Sequence, residues 1–178
     1  KNSTCDALEQ RIAVAEGGTA ALCMASGDDV KALETEIDDK TKAIFCESIG
    51  NPAGNVIDIP LLSEMAHNHG IPLIVDNTVA TPYLCRPFDY GADIIVHSLT
   101  KYISEHGTTI GGIIVESESF LWKGNPRFPQ FNIPDPSYHG VVHADASEVP
   151  FILRARVGPL RNIGLHYRLS THSIFCKD

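Results

Sequence analysis

The chain has 178 residues, 43% hydrophobic and 20% charged, with a formal net charge of −8. This is an ordinary globular composition, long enough to enclose one sizeable core. The acidic balance argues against nucleic acid, which needs clustered Lys and Arg, and no apolar run approaches the roughly 18 residues that cross a bilayer.

The opening Lys1-Asn2-Ser3-Thr4 is neither a start methionine nor a signal peptide. The chain is therefore expected to begin partway into a longer protein. Leu8, Ile12 and Ala15 recur at helical spacing up to Gly17-Gly18. An apolar segment, TAALCMASG, then ends at Gly27, and Asp28-Asp29 cap an acidic helix with Val30, Leu33 and Ile37 on one face.

A regular alternation follows. AIFC (43–46) reads as a buried strand and IPLLSEMAHNHG (59–70) as a helix closed by Gly70. IPLIVDN (71–77), ADIIVHS (92–98) and GGIIVES (111–117) read as three more strands, the first two joined by the Pro-bearing TPYLCRPFDYG. Short strands apolar on both faces and separated by helices predict an α/β fold, a mostly parallel sheet covered by helices. From Trp122 to Gly140 the chain is rich in Pro, Gly and aromatics, which predicts a long ordered loop or surface excursion. FILRARVGPLRNIG (151–164) is again helical in pattern, with Arg154, Arg156 and Arg161 on its polar positions. The last residues, 165–178, remain unassigned.

Five cysteines, odd in number, widely spaced and without a Cys-x-x-Cys pair, read as buried thiols of a reducing cytoplasm rather than a disulfide or zinc framework. Eight histidines invite a metal reading, but His67 and His69 are two apart on a helix, and no His-Glu-x-x-His occurs. No metal site is assigned. Gly107, Gly111 and Gly112 open no helix after a strand, so they serve a turn and close packing rather than a dinucleotide.

Ligands of parallel α/β sheets sit beyond the carboxyl ends of the strands. Those ends carry Glu47, Asp76 and His97-Ser98, with Lys101 three residues beyond Ser98. Pyridoxal phosphate needs an amine for its aldehyde, an anion opposite its ring nitrogen and donors for its phosphate. Lys101, Asp76, and Ser98 with Thr100 could supply these in turn, and Asn51 could donate to the ring's phenolic oxygen. Each residue also has an ordinary reading. A lysine after a strand is usually solvated, Asp76 and Thr78 could cap a helix, and Ser or Thr near a turn commonly bonds its own backbone. Spacing alone leaves both open.

The residues also carry a resemblance. SLTKY preceded by GADIIVH resembles the pyridoxal-phosphate attachment site of the Cys/Met-metabolism family. LEQRIAVAEGGTAAL, ESIGNP, GIPLIVDNTVATPYLCRPFDYGADIIVHSLTKY and GTTIGGIIVES are similar to stretches of that family in the same order. ESIGNP, the PYLCRP run and the loop with FPQF and DPSYHG look like its O-acetylhomoserine sulfhydrylase branch. The resemblance implies an incomplete large domain of PLP-dependent transferase fold type I over residues 1–164. It implies Lys101 as the Schiff-base lysine and proton shuttle, Asp76 under the pyridine nitrogen, and Ser98 and Thr100 on the phosphate. Asn51 would lie near the ring oxygen, Glu47 beside the site, and Gly27 would open the phosphate-binding turn.

The implied reaction is γ-replacement on O-acetyl-L-homoserine by sulfide or a thiol, in a cytoplasmic homotetramer built as a dimer of dimers. Methionine γ-lyase or cystathionine γ-synthase activity uses the same residues, and an inactive truncated homologue serving as an assembly module is the alternative of another class. Ser3 and Glu105 depart from the family's Pro and Gly. The family's Tyr-x-Arg motif, ring-stacking tyrosine and carboxy-terminal domain have no counterpart, which predicts missing residues between Gly27 and Asp28 and again near Gly164–Leu165.

Overall fold

The computed structural model describes residues 23–24, 30–104 and 106–161. Gly27, the expected first helix, Glu105 and both expected junctions lie outside the described residues.

The described residues form a five-stranded sheet in the order β1 (Cys23–Met24), β2 (Ile44–Glu47), β3 (Leu73–Asp76), β4 (Ile94–Ser98), β5 (Gly112–Glu116). The first four strands run parallel and β5 runs antiparallel to β4. The expectation of a mostly parallel sheet thus holds. β4 and β5 are joined by residues 99–111, whose described residues hold the turn Leu99–Ile103 but no α-helix to carry the chain across a face of the sheet, and β5 returns antiparallel.

Helix α1 spans Val30–Glu36 and α2 spans Ile59–Asn68. Asp58 starts α2 by accepting the Leu61 N–H at 3.0 Å, with Pro60 in the first turn. Gly70 closes the turn beyond it at φ +67, a conformation that favours glycine. Ile59, Leu62, Met65 and Ala66 face the sheet and pack with Ile44, Leu73, Ile74 and Val75. The Pro-bearing connection folds as α3 (Thr81–Leu84) followed by a 3-10 turn at Pro87–Tyr90.

Of the two readings of residues 122–140, the long ordered loop holds and the surface excursion does not, because the segment forms a second wing of the core. Phe128 and Phe131 are fully buried around the short helix α4 (Pro129–Asn132), and Trp122 packs between them. Phe151 of α6 (Pro150–Ala155) stacks on Trp122, behind α5 (His143–Ala146). A loop that buries this much aromatic surface is held by packing, whatever its Pro and Gly content. Arg154 leaves its expected solvent-facing place to lie 5.6 Å over the Phe131 ring.

The amino-terminal end of the sheet is tied by Asp93. Its buried carboxylate accepts the Leu73 N–H at 2.8 Å and meets His67 Nε2 at 2.8 Å. This bonds α2, β3 and the start of β4 at one point.

Candidate active site

The opposite, carboxyl end of the sheet collects the residues singled out from the sequence. Glu47 and Asp76 are register partners at the ends of β2 and β3, and Asp76 in turn pairs with Val96 of β4. Ser98 lies two residues further along β4 and so shares their face. The ladders continue past the strand ends, with Ser48 N donating to Asp76 O at 2.9 Å and Asn77 N to Val96 O at 3.0 Å.

Asp76 is half-buried, and its Oδ1 accepts the Thr78 N–H at 2.9 Å. No described group bonds its Oδ2. The Thr78 hydroxyl accepts the Ser98 N–H at 2.8 Å, so one threonine joins the Asp76 turn to the end of β4. The Ser98 hydroxyl has no partner among the described residues.

Lys101 is exposed in a π-helical turn, Leu99–Ile103, whose backbone leaves helical geometry at Lys101 itself (φ −94, ψ −123). No described carboxylate pairs with its amine. Thr100 is engaged with Gly111 at the start of β5. Its Oγ1 accepts the Gly111 N–H at 3.0 Å and donates weakly to Gly111 O at 3.3 Å. Gly111 therefore competes for the hydroxyl that the sequence reading gave to a phosphate.

Glu47 builds its own turn, its Oε2 accepting the Asn51 N–H at 2.9 Å. Asn51 is exposed at the tip of that turn. Beneath these residues, burial and then the charges of Asp76 and Glu47 push the Cys46 thiol up to about 12. A thiol held neutral in this way is packing, not a nucleophile.

Sequence reasoning weighed Thr78 only as a possible cap, named His97 at the end of β4 without giving it a role, and passed over Ser48 and Asn77 beside the other strand ends. Their signal is the polar pair closing each strand: Glu47-Ser48, Asp76-Asn77, His97-Ser98.

A half-buried carboxylate, an exposed amine and a hydroxyl, the last two without partners among the described residues, thus lie at one sheet edge. Residues 27–134 match the model of the Cys/Met metabolism PLP-dependent enzyme family. The chain belongs to this pyridoxal-phosphate-dependent family. It is 50% identical to a homocysteine synthase of Schizosaccharomyces pombe over 142 residues, covering 78% of this chain and 33% of the relative. An O-acetyl-L-homoserine sulfhydrylase of Leptospira meyeri is 37% identical over 220 residues, covering 92% of this chain and 50% of that one.

Among solved structures, an O-acetylhomoserine (thiol)-lyase of Campylobacter jejuni carrying N'-pyridoxyl-lysine-5'-monophosphate superposes with a TM-score of 0.74 at 35% identity. The match covers 92% of this chain and 52% of that one. The chain spans a third to a half of the length of these curated relatives. The Leptospira alignment is longer than the whole 178-residue chain, so that relative carries interior residues with no counterpart here. The donor set fits the family's cofactor, since the amine, the open carboxylate oxygen and the unpartnered hydroxyl are the three groups that pyridoxal phosphate requires.

Proposed function

We propose that the whole protein replaces the acetoxy group of O-acetyl-L-homoserine with sulfide or a thiol, giving homocysteine or methionine. One observation supports this most. The exposed Lys101 follows β4 at the same sheet edge as Asp76, in a chain whose relatives are named for that chemistry.

In this reading Lys101 attaches the cofactor, Asp76 turns its free Oδ2 to the ring nitrogen, and Ser98 and Thr100 serve the phosphate. Asn51 serves the ring oxygen, Glu47 holds the Asn51 turn, and Gly27 opens a further phosphate-binding turn. Bound there, pyridoxal phosphate supplies an electron sink for the substrate's α-carbon. Once the substrate's amine has taken its place on the cofactor, the freed Lys101 Nζ would take the proton from Cα and move protons at Cβ. The Cγ–O bond breaks with its electron pair leaving on acetate, and the sulfur lone pair forms the Cγ–S bond. Residues 1–164 serve as the cofactor-binding large domain of a cytoplasmic homotetramer, a reading that rests on the family resemblance. The highly exposed Tyr83 and Leu84 beside the site agree with a subunit contact there. No helix among the described residues is long and apolar enough to cross a membrane.

The test uses the full-length protein. It should bind pyridoxal phosphate with a visible absorption band, and borohydride reduction should leave the label on the Lys101 peptide. Lys101→Ala should lose both. With O-acetyl-L-homoserine and sulfide the product should be homocysteine; a 2-oxo acid and ammonia instead would mean elimination. A colourless protein that cannot be reconstituted would overturn the enzymatic reading in favour of an assembly module.

A further inference from the structure

Ser48, Asn77 and His97 adjoin the three strand ends that bear Glu47, Asp76 and Ser98. Successive strand residues point to opposite faces, so these three share the face turned away from the proposed cofactor. All three are buried, at 3%, 0% and 7% exposure, while Glu47, Asp76 and Ser98 are half-buried. Each holds a buried polar atom without a protein partner among the described residues: Ser48 Oγ, Asn77 Oδ1 and His97 Nδ1. Each such orphan disfavours the folded state, so three on adjacent strands call for a reason.

The rest of the row is tightly bonded. Asn77 Nδ2 donates to Cys85 O at 2.9 Å, Asn77 N to Val96 O at 3.0 Å, and Thr81 N to Asn77 O at 2.9 Å. The His97 ring lies close enough to the Asn77 backbone to feel it, and its Nδ1 has no partner among the described residues. Burial lowers the pKa of His97, opposed by the negative charge of Asp76 on β3, the charged group that acts on it, and by the Asn77 carbonyl. Burial thus favours the uncharged ring beside the peptide that follows Asp76.

We propose that His97 is a positioning residue for Asp76. With Ser48 and Asn77 it forms a buried polar row that fixes the Asp76–Asn77 backbone from behind and so aims the carboxylate across the sheet edge. The proposal rests on the reading of Asp76 as the partner of the cofactor's ring nitrogen. His97 touches neither cofactor nor substrate and acts only through that backbone.

The experiment takes the full-length protein with pyridoxal phosphate and no substrate. It follows the bound cofactor's absorption against pH in wild type, Asp76→Asn, His97→Phe and His97→Gln. His97→Phe keeps the ring's shape and deletes both nitrogens. It should move the midpoint in the same direction as Asp76→Asn but less far, by about half a pH unit, and weaken cofactor binding about three- to tenfold. His97→Gln, which can still donate to the Asn77 carbonyl, should recover part of the shift. If His97→Phe folds and titrates like wild type while Asp76→Asn is shifted, His97 is only packing and the proposal is overturned. If Asp76→Asn itself leaves the midpoint unmoved, the reading of Asp76 falls and takes the proposal with it. Should His97→Phe fail to fold, His97→Leu, which also lacks both nitrogens, takes its place, and a wild-type midpoint there overturns the proposal.

Discussion

The hydroxyl of Thr78 accepts the backbone N–H of Ser98 at 2.8 Å while the Thr78 N–H is given to Asp76 at 2.9 Å. A single residue outside the strands thereby couples the carboxylate assigned to the ring nitrogen to the backbone of the serine assigned to the phosphate. Neither contact is visible in the spacing of Asp76 and Ser98 along the chain.

Thr78→Val preserves volume and shape but leaves the Ser98 N–H without its acceptor. It should lower stability by about 1–2 kcal/mol and weaken pyridoxal-phosphate binding several-fold. Thr78→Ser should restore both. Urea unfolding and a cofactor titration on the full-length protein measure the two effects separately.

Asp93 anchors the far end of the sheet, so its loss should act on stability alone. Asp93→Ala orphans the buried Leu73 N–H and strips His67 of its partner. A loss of about 3 kcal/mol is expected. The pH dependence of the bound cofactor's absorption should stay as in wild type. A shifted absorption profile would show that the two ends of the sheet are not independent.

The loop at Asp135 carries an acid-sensitive clasp. A hydrogen bond from the buried His143, then those from Ser137, hold the Asp135 carboxyl at about 2. A carboxylate depressed in the folded state adds stability above its unfolded pKa, and that contribution fades as pH falls through the folded value. The stability gap between wild type and Asp135→Asn should thus be full at pH 5 and shrink between about pH 4 and pH 2. Chemical denaturation at a series of pH values measures it.

An experimental structure at high resolution should place an ordered water among Ser48, Asn77 and His97. A water that accepts from the Ser48 hydroxyl and donates to Asn77 Oδ1 and His97 Nδ1 satisfies all three groups, the usual number of bonds for a buried water. Electron density showing the three side chains bonded directly to one another would refute this.

The candidate site was largely legible because buried parallel strands announce their ends. An apolar run such as Ile94-Ile95-Val96 stops where polar residues begin, and the ligand-bearing edge lies there by rule. The parallel register then brings Glu47 level with Asp76 although 29 residues separate them. What sequence could not show are contacts made across the sheet by residues with no periodic pattern. His67 finds Asp93 from 26 positions away, and nothing local distinguishes either. For the aromatic wing the ordered loop was legible but its burial was not, because Pro and Gly signal irregular backbone, not exposure. Phe128 and Phe131 are buried by packing against Trp122 and Phe151, a fact about tertiary neighbours.

The antiparallel strand β5 ends the sheet, and no described strand pairs with its outer edge. Ile113, Ile114 and Val115 on it are all more than a third exposed, as is the neighbouring Ile110. Unpaired backbone beside a run of β-branched side chains is a template for adding a strand from another molecule. The strand carries neither the lysine nor the proline that would blunt such growth. The same stretch that completes the sheet is thus its most adhesive seam. A strand added against that edge would extend the sheet through backbone hydrogen bonds alone.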